Sequence, residues 1–128
     1  MSPTPDCSFC FEPTTKTLSD KPLLLASDIE YFDWTNQQIK LKESGLEKIK
    51  RLEIPLGGLR AAMVVDSEPI YGLWFWNEFS SLGCDYVFTY PTMDFKIGFG
   101  LPAGHAKGLD PRFDTKLRES LNRSGQLK

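Results

Sequence analysis

The chain has 128 residues, 41% of them hydrophobic and 25% charged, with a formal net charge of −2. That length suits one domain with a real core, and that composition excludes global disorder. The charge, with no Lys/Arg cluster on any one predicted element, excludes a nucleic-acid-binding face, and no apolar run approaches the ~18 residues of a membrane span.

Residues 1–20 contain Pro3, Pro5, Pro13, Thr14, Thr15, Thr17 and Ser19 and lack a periodic apolar face, which predicts a flexible tail ahead of a single domain over 21–128. Met1–Asp6 is polar and has no signal-peptide core. This fits a cytoplasmic chain, or an exported one whose signal has been replaced by Met1. Cys7 and Cys10 form a C-x-x-C pair in this tail. A redox pair of the thioredoxin type opens a helix after a strand, and here Pro13 and threonine-rich coil follow instead. Cys7, Cys10, Cys84 and His105 supply the ligand types of a Cys3His zinc site, but such sites present two close pairs and only one exists. No metal and no cofactor are therefore assigned. The simpler reading makes Cys7 and Cys10 tail cysteines, bridged or not, and Cys84 a small hydrophobe in a sheet.

Pro22–Ala26 reads as a first strand or entry segment, and Ser27-Asp28 as the cap of a single turn leading to Trp34. Gln38–Lys42 alternates polar and apolar as a half-buried strand does. Residues 44–52 place Leu46, Ile49 and Leu52 at spacing three, the pattern of a short amphipathic helix lying on a sheet. Leu59–Val65 and Ile70–Trp76, joined by Asp66-Ser67-Glu68-Pro69, form the clearest hairpin. Ile70–Trp76 carries no charge and is apolar on both faces, which predicts a central strand covered on both sides, or covered on one and used for binding on the other. Cys84–Tyr90 and Met93–Phe99 alternate as two further strands, the second an edge strand with one wet face. Gly100–Gly108 is a glycine-rich loop carrying the sole histidine, His105. Asp110-Pro111 then starts a last helix over 111–123, with Phe113, Leu117 and Leu121 at spacing four. The predicted fold is α+β: a mostly antiparallel sheet of about five strands, one helix packed on a face, and a C-terminal helix.

Two resemblances follow from these residues. Asp28-Ile29, the alternating Gln38–Lys42, the Gly45–Leu52 helix and the run Leu59–Ile70 resemble the first periplasmic head domain of the bacterial Sec-export accessory membrane subunit. They cover about a third of the chain, and Asp66-Ser67 stands where that family prefers Asp-Gly. Tyr71-Gly72-Leu73-Trp74-Phe75-Trp76 and Ser80-Ser81 are similar to the Tyr-x-Gly-x-Phe-Trp…Ser-Ser stretch of small exported bacterial proteins of unknown function. Neither resemblance carries a catalytic residue. Together they favour an extracytoplasmic bacterial setting over a cytoplasmic one.

For chemistry, Ser80, Ser81 and Cys84 are the nucleophiles beside the central strand and His105 is the only imidazole, so a small hydrolase using one of them with His105 is the alternative function. No G-x-S-x-G supports it, and no catalytic residue is assigned. Asp28, Glu30 and Asp33 lie close in sequence and Asp85 and Asp94 flank the last predicted hairpin, but Asp28 reads as a cap, and Asp85 and Asp94 as solvent-face strand residues, rather than as members of a glycosidase pair. The glycines match neither a P-loop nor a dinucleotide fingerprint. Aromatic-rich binding is the leading reading. Trp74, Trp76, Tyr71, Tyr86, Tyr90 and Trp34 exceed what a small core must hold. The expected function is a non-enzymatic binding or protein-interaction module using Trp76, Asn77, Ser80, Ser81 and Tyr71. Its ligand would be a protein, peptide or small molecule, and weak self-association would be compatible with it.

Overall fold

The hairpin expected around Asp66 is the longest local pairing. In this computed structural model, which describes residues 7–14, 18, 21–80, 82–102 and 104–128, β3 (Leu59–Val65) runs antiparallel to β4 (Glu68–Phe75). Asp66 and Ser67 make the turn with φ of 51° and 65°. Two left-handed residues match the twist of the flanking strands, which is why such turns favour Asp-Gly. Pro69 faces Val64 at an irregularity of the ladder between Met63 and Val64. A residue without an N–H is tolerated at such a bulge.

The fold is α+β, with six strands in two sheets among the described residues. The larger sheet has the order β3-β4-β5-β6, with β5 at Cys84–Thr89 and β6 at Ile97–Leu101. β5 runs parallel to β4, pairing Trp74 with Phe88 and Phe75 with Thr89, and β6 is antiparallel to β5. The smaller sheet pairs β1 (Ile29–Asp33) with β2 (Gln38–Leu41) antiparallel. The two sheets meet where Ile39 N–H donates to Phe95 O and Ile97 N–H donates to Gln37 O. The C-terminus adds to β1 through Phe32 N–H to Gln126 O and Lys128 N–H to Phe32 O. One core joins Phe32, Ile39, Leu73, Phe75, Val87 and Ile97 to Ile49 of α1 (Glu43–Lys50) and to Leu117 and Leu121 of α2 (Thr115–Arg123).

This corrects the expectation of a single, mostly antiparallel sheet of about five strands. Side-chain alternation is the same in parallel and antiparallel strands, so the pattern does not reveal that the loop 76–83 returns the chain to run alongside β4. Three boundaries also differ. Pro22–Ala26 is not a strand; a 3-10 turn at Ala26–Asp28 leads directly into β1, because Asp28 Oδ2 accepts Leu25 N–H at 2.8 Å. The strand expected at Met93–Phe99 begins only at Ile97. Before it, Phe95 takes φ of 51° and its N–H bonds Tyr90 O. The last helix begins after Asp114, not Asp110. Asp110 is paired with the Arg112 guanidinium at 2.8 Å, while Asp114 Oδ1 accepts Leu117 N–H at 3.1 Å.

Asp28 ties the start of the domain to α1. Its buried carboxylate accepts Lys48 Nζ at 2.7 Å in addition to Leu25 N–H. The hydrogen bond from Lys48, then that from Leu25, holds its pKa down at about 2, below the ordinary 3.8. A depressed carboxylate contributes stability above the unfolded pKa and loses it as pH falls through the folded one. Wild type should therefore exceed Asp28→Asn in urea midpoint at pH 7. The gap should narrow between about pH 4 and pH 2, and a gap independent of pH would contradict the assignment.

Candidate functional site

β4 sorts its side chains by alternation. Tyr71, Leu73 and Phe75 enter the core, while Gly72, Trp74 and the next residue, Trp76, lie on the other face of the sheet. Trp76 continues the parallel ladder by donating its backbone N–H to Thr89 O at 2.8 Å. Tyr71 is 3% exposed and Trp76 is 0% exposed, so the two largest of the expected binding residues are interior and on opposite sides of one strand. Burial pushes the Tyr71 phenol well above its usual pKa.

The second face is covered by the chain's own start. Residues 7–11, expected within a flexible tail, lie across Gly72, Trp74, Trp76 and Tyr86. The Phe9 ring meets Trp74 at 5.1 Å and Trp76 at 5.3 Å edge to face, and Phe11 meets Trp74 at 5.9 Å and Tyr86 at 6.4 Å. Such aromatic pairs stabilise by roughly 0.5–1.5 kcal/mol beyond burial of area. Glycine is required at position 72: a Cβ there would stand 2.5 Å from the Phe11 ring. At Gly58, with φ of 90°, a Cβ would stand 2.8 Å from the Trp76 ring and 2.9 Å from that of Trp74. The Arg60 guanidinium lies 5.6 Å from the Phe11 centroid.

Polar contacts fix the register of this strap. Asp85, 6% exposed, accepts Ser8 N–H at 2.7 Å on one oxygen and Phe9 N–H at 2.9 Å on the other. Trp74 Nε1 donates to Phe9 O at 2.7 Å. A Cys7–Cys10 disulfide closes the loop, with Cα atoms 5.5 Å apart, and Cys7 Sγ lies 3.3 Å from Asp85 Oδ1.

The loop after β4 holds the other expected binding residues. Asn77 Nδ2 donates to Ile54 O at 2.6 Å, and Asn77 Oδ1 accepts Phe79 N–H at 2.8 Å. Ser80 Oγ accepts Leu82 N–H at 3.2 Å, and Trp76 Nε1 donates to Leu82 O at 3.2 Å. Asn77, Ser80 and Trp76 thus brace this loop from within. Ser81 lies outside the described residues. What the loop presents is Phe79, 82% exposed, and Leu82, 53% exposed.

The pieces of the alternative hydrolase are not joined. Cys84 is buried, its Sγ is 3.8 Å from Tyr86 O, and desolvation pushes its thiol up to about 11. Ser80 is engaged with Leu82 N–H, and among the described residues no serine or cysteine side chain hydrogen-bonds His105.

Sequence reasoning missed Phe9, Phe11, Asp85 and Phe79. The available signal was Phe9-Cys10-Phe11, two large aromatics two residues apart in a segment otherwise composed as coil. Asp85 should be the residue on which the strap depends. Asp85→Ala removes two hydrogen bonds to a charged acceptor, and net losses of about 1.5–3 kcal/mol are typical for one such bond. We expect about 2 kcal/mol of destabilisation in urea titration, with tryptophan emission shifted to the red in the native baseline. Unchanged emission would contradict the arrangement.

Comparison of the chain with protein-family models, with curated proteins and with solved structures finds no match.

Proposed function

We propose that the protein is a non-enzymatic binding module that docks an apolar peptide segment of a partner protein on the loop following β4. The observation that carries this reading is Phe79. A large aromatic side chain stands 82% exposed on a loop whose backbone is hydrogen-bonded internally. Aromatic anchors on pre-ordered backbone lose little entropy on binding and dominate contact energies. Leu82 lies on the same loop, and the exposed Leu56 lies on the segment that Asn77 ties to it through Ile54 O. In this reading Trp76 and Asn77 are positioning residues: they set the loop geometry from beneath and do not touch the ligand.

The setting we propose is extracytoplasmic. The Cys7–Cys10 bridge supports it, because disulfides persist in oxidising compartments. The resemblance of residues 28–70 to a periplasmic head domain points the same way.

The test is a peptide-display selection on the full wild-type chain, with the binders then titrated against Phe79→Ser. Binders so selected should lose at least tenfold in affinity for Phe79→Ser, while its stability stays within about 0.5 kcal/mol of wild type, as exposed substitutions do. Binders indifferent to Phe79, or a selection yielding none, would overturn the proposal. Loss of concentration-dependent size in Phe79→Ser would assign the loop to self-association instead.

A further inference from the structure

The Cys7–Cys10 loop and Asp85 bring three ligand atoms together in a way the disulfide alone does not require. Cys7 Sγ, Cys10 Sγ and an Asp85 oxygen all lie within 4.8 Å of one another. We propose that when the bridge is reduced these three atoms bind a thiophilic divalent cation of the zinc type, with water in the fourth position, so that ion and disulfide are alternative latches for the same strap.

The geometry is close to what such an ion needs. Zinc–sulfur bonds of about 2.3 Å and zinc–oxygen bonds of about 2.0 Å at a tetrahedral angle put sulfur and oxygen about 3.5 Å apart. Cys7 Sγ is already 3.3 Å from Asp85 Oδ1. The C-x-x-C spacing is that of one ligand pair in zinc sites. The same bond lengths place the two sulfurs about 3.8 Å apart, so the ion and the bridge exclude each other.

The Asp85 carboxylate is already held in orientation by the strap's backbone. A ligating carboxylate is ordinarily oriented by hydrogen bonds to its oxygens. Asp85 receives one from Ser8 N–H and one from Phe9 N–H, and each oxygen keeps a lone pair. Both cysteines are only half-buried, which leaves a path for the ion and a place for its water. Cys84 takes no part: it is buried, with its sulfur directed at Tyr86 O.

The conversion balances. A dithiol reductant gives two electrons and two protons to the S–S bond and closes its own disulfide, leaving Cys7 and Cys10 as thiols. The ion then binds both sulfurs as thiolates, and the two thiol protons go to solvent. Phe9 and Phe11 remain seated on Trp74 in either state.

Cobalt(II) is the probe. The full chain, reduced and freed of reductant under anaerobic conditions, should bind one equivalent of Co2+ with a thiolate-to-cobalt charge-transfer band and the visible bands of a tetrahedral ion, and Zn2+ should displace it. The oxidised chain should give neither band. Cys10→Ser, which removes one sulfur and with it the bridge that reduction also removes, should lose the charge-transfer intensity. Asp85→Asn should bind at least tenfold more weakly, with far-ultraviolet circular dichroism confirming its fold. Absence of the bands in the reduced chain, their persistence in Cys10→Ser, or an unchanged affinity in Asp85→Asn would each overturn the proposal. None of these outcomes depends on Phe79.

Discussion

The structure depends on a carboxylate meeting a turn of backbone from the other end of the chain. Asp85 accepts Ser8 N–H and Phe9 N–H from its place in β5. A buried carboxylate without partners is costly, and the backbone amides of the exposed Ser8 and half-buried Phe9 remove that penalty. The pairing sets where residues 7–11 cross the sheet. That crossing puts Phe9 and Phe11 on Trp74 and leaves room only for hydrogen at Gly72. The disulfide shortens the accessible range of this segment and acts in the same direction.

From that constraint follows the division of labour along β4. One face of the strand supplies the core with Leu73 and Phe75; the other supplies a floor for the strap with Gly72, Trp74 and Trp76. Both faces are covered from Gly72 onward, which accounts for the absence of charge over Ile70–Trp76 in a sheet whose β4–β5 pairing is parallel. The polar ends of the two indoles then act locally. Trp74 Nε1 holds the strap at Phe9 O, and Trp76 Nε1 holds the following loop at Leu82 O. The exposed Phe79 is thus carried by a loop anchored on an interior residue.

Much of this was legible from pattern. The β3–β4 hairpin, the two-sided apolar strand, α1 and the Leu117/Leu121 face of the last helix all follow from periodicity and turn residues. The direction of β5 was not, because alternation carries no sense of strand polarity. Asp110 and Asp114 are equally good caps by type, and only the Arg112 guanidinium decides between them. At the site, Trp76 and Asn77 stand out by composition, yet burial turns them into supports. Asp85 reads as a solvent-face strand residue because its partners lie 76 and 77 positions away. Phe9 and Phe11 sit among prolines, threonines and serines, and nothing local says they have a sheet to rest on.

The measurement that bears most directly on this account is amide and indole hydrogen exchange, followed residue by residue by nuclear magnetic resonance on the oxidised full chain. Hydrogen bonds buried under an ordered strap exchange slowly, and those of a frayed terminus at coil rates. Ser8 N–H, Phe9 N–H and Trp74 Nε1–H should be protected to a degree comparable with the β4 amides. Exchange of all three at coil rates, with β4 still protected, would contradict this arrangement and leave the aromatic face of the sheet uncovered.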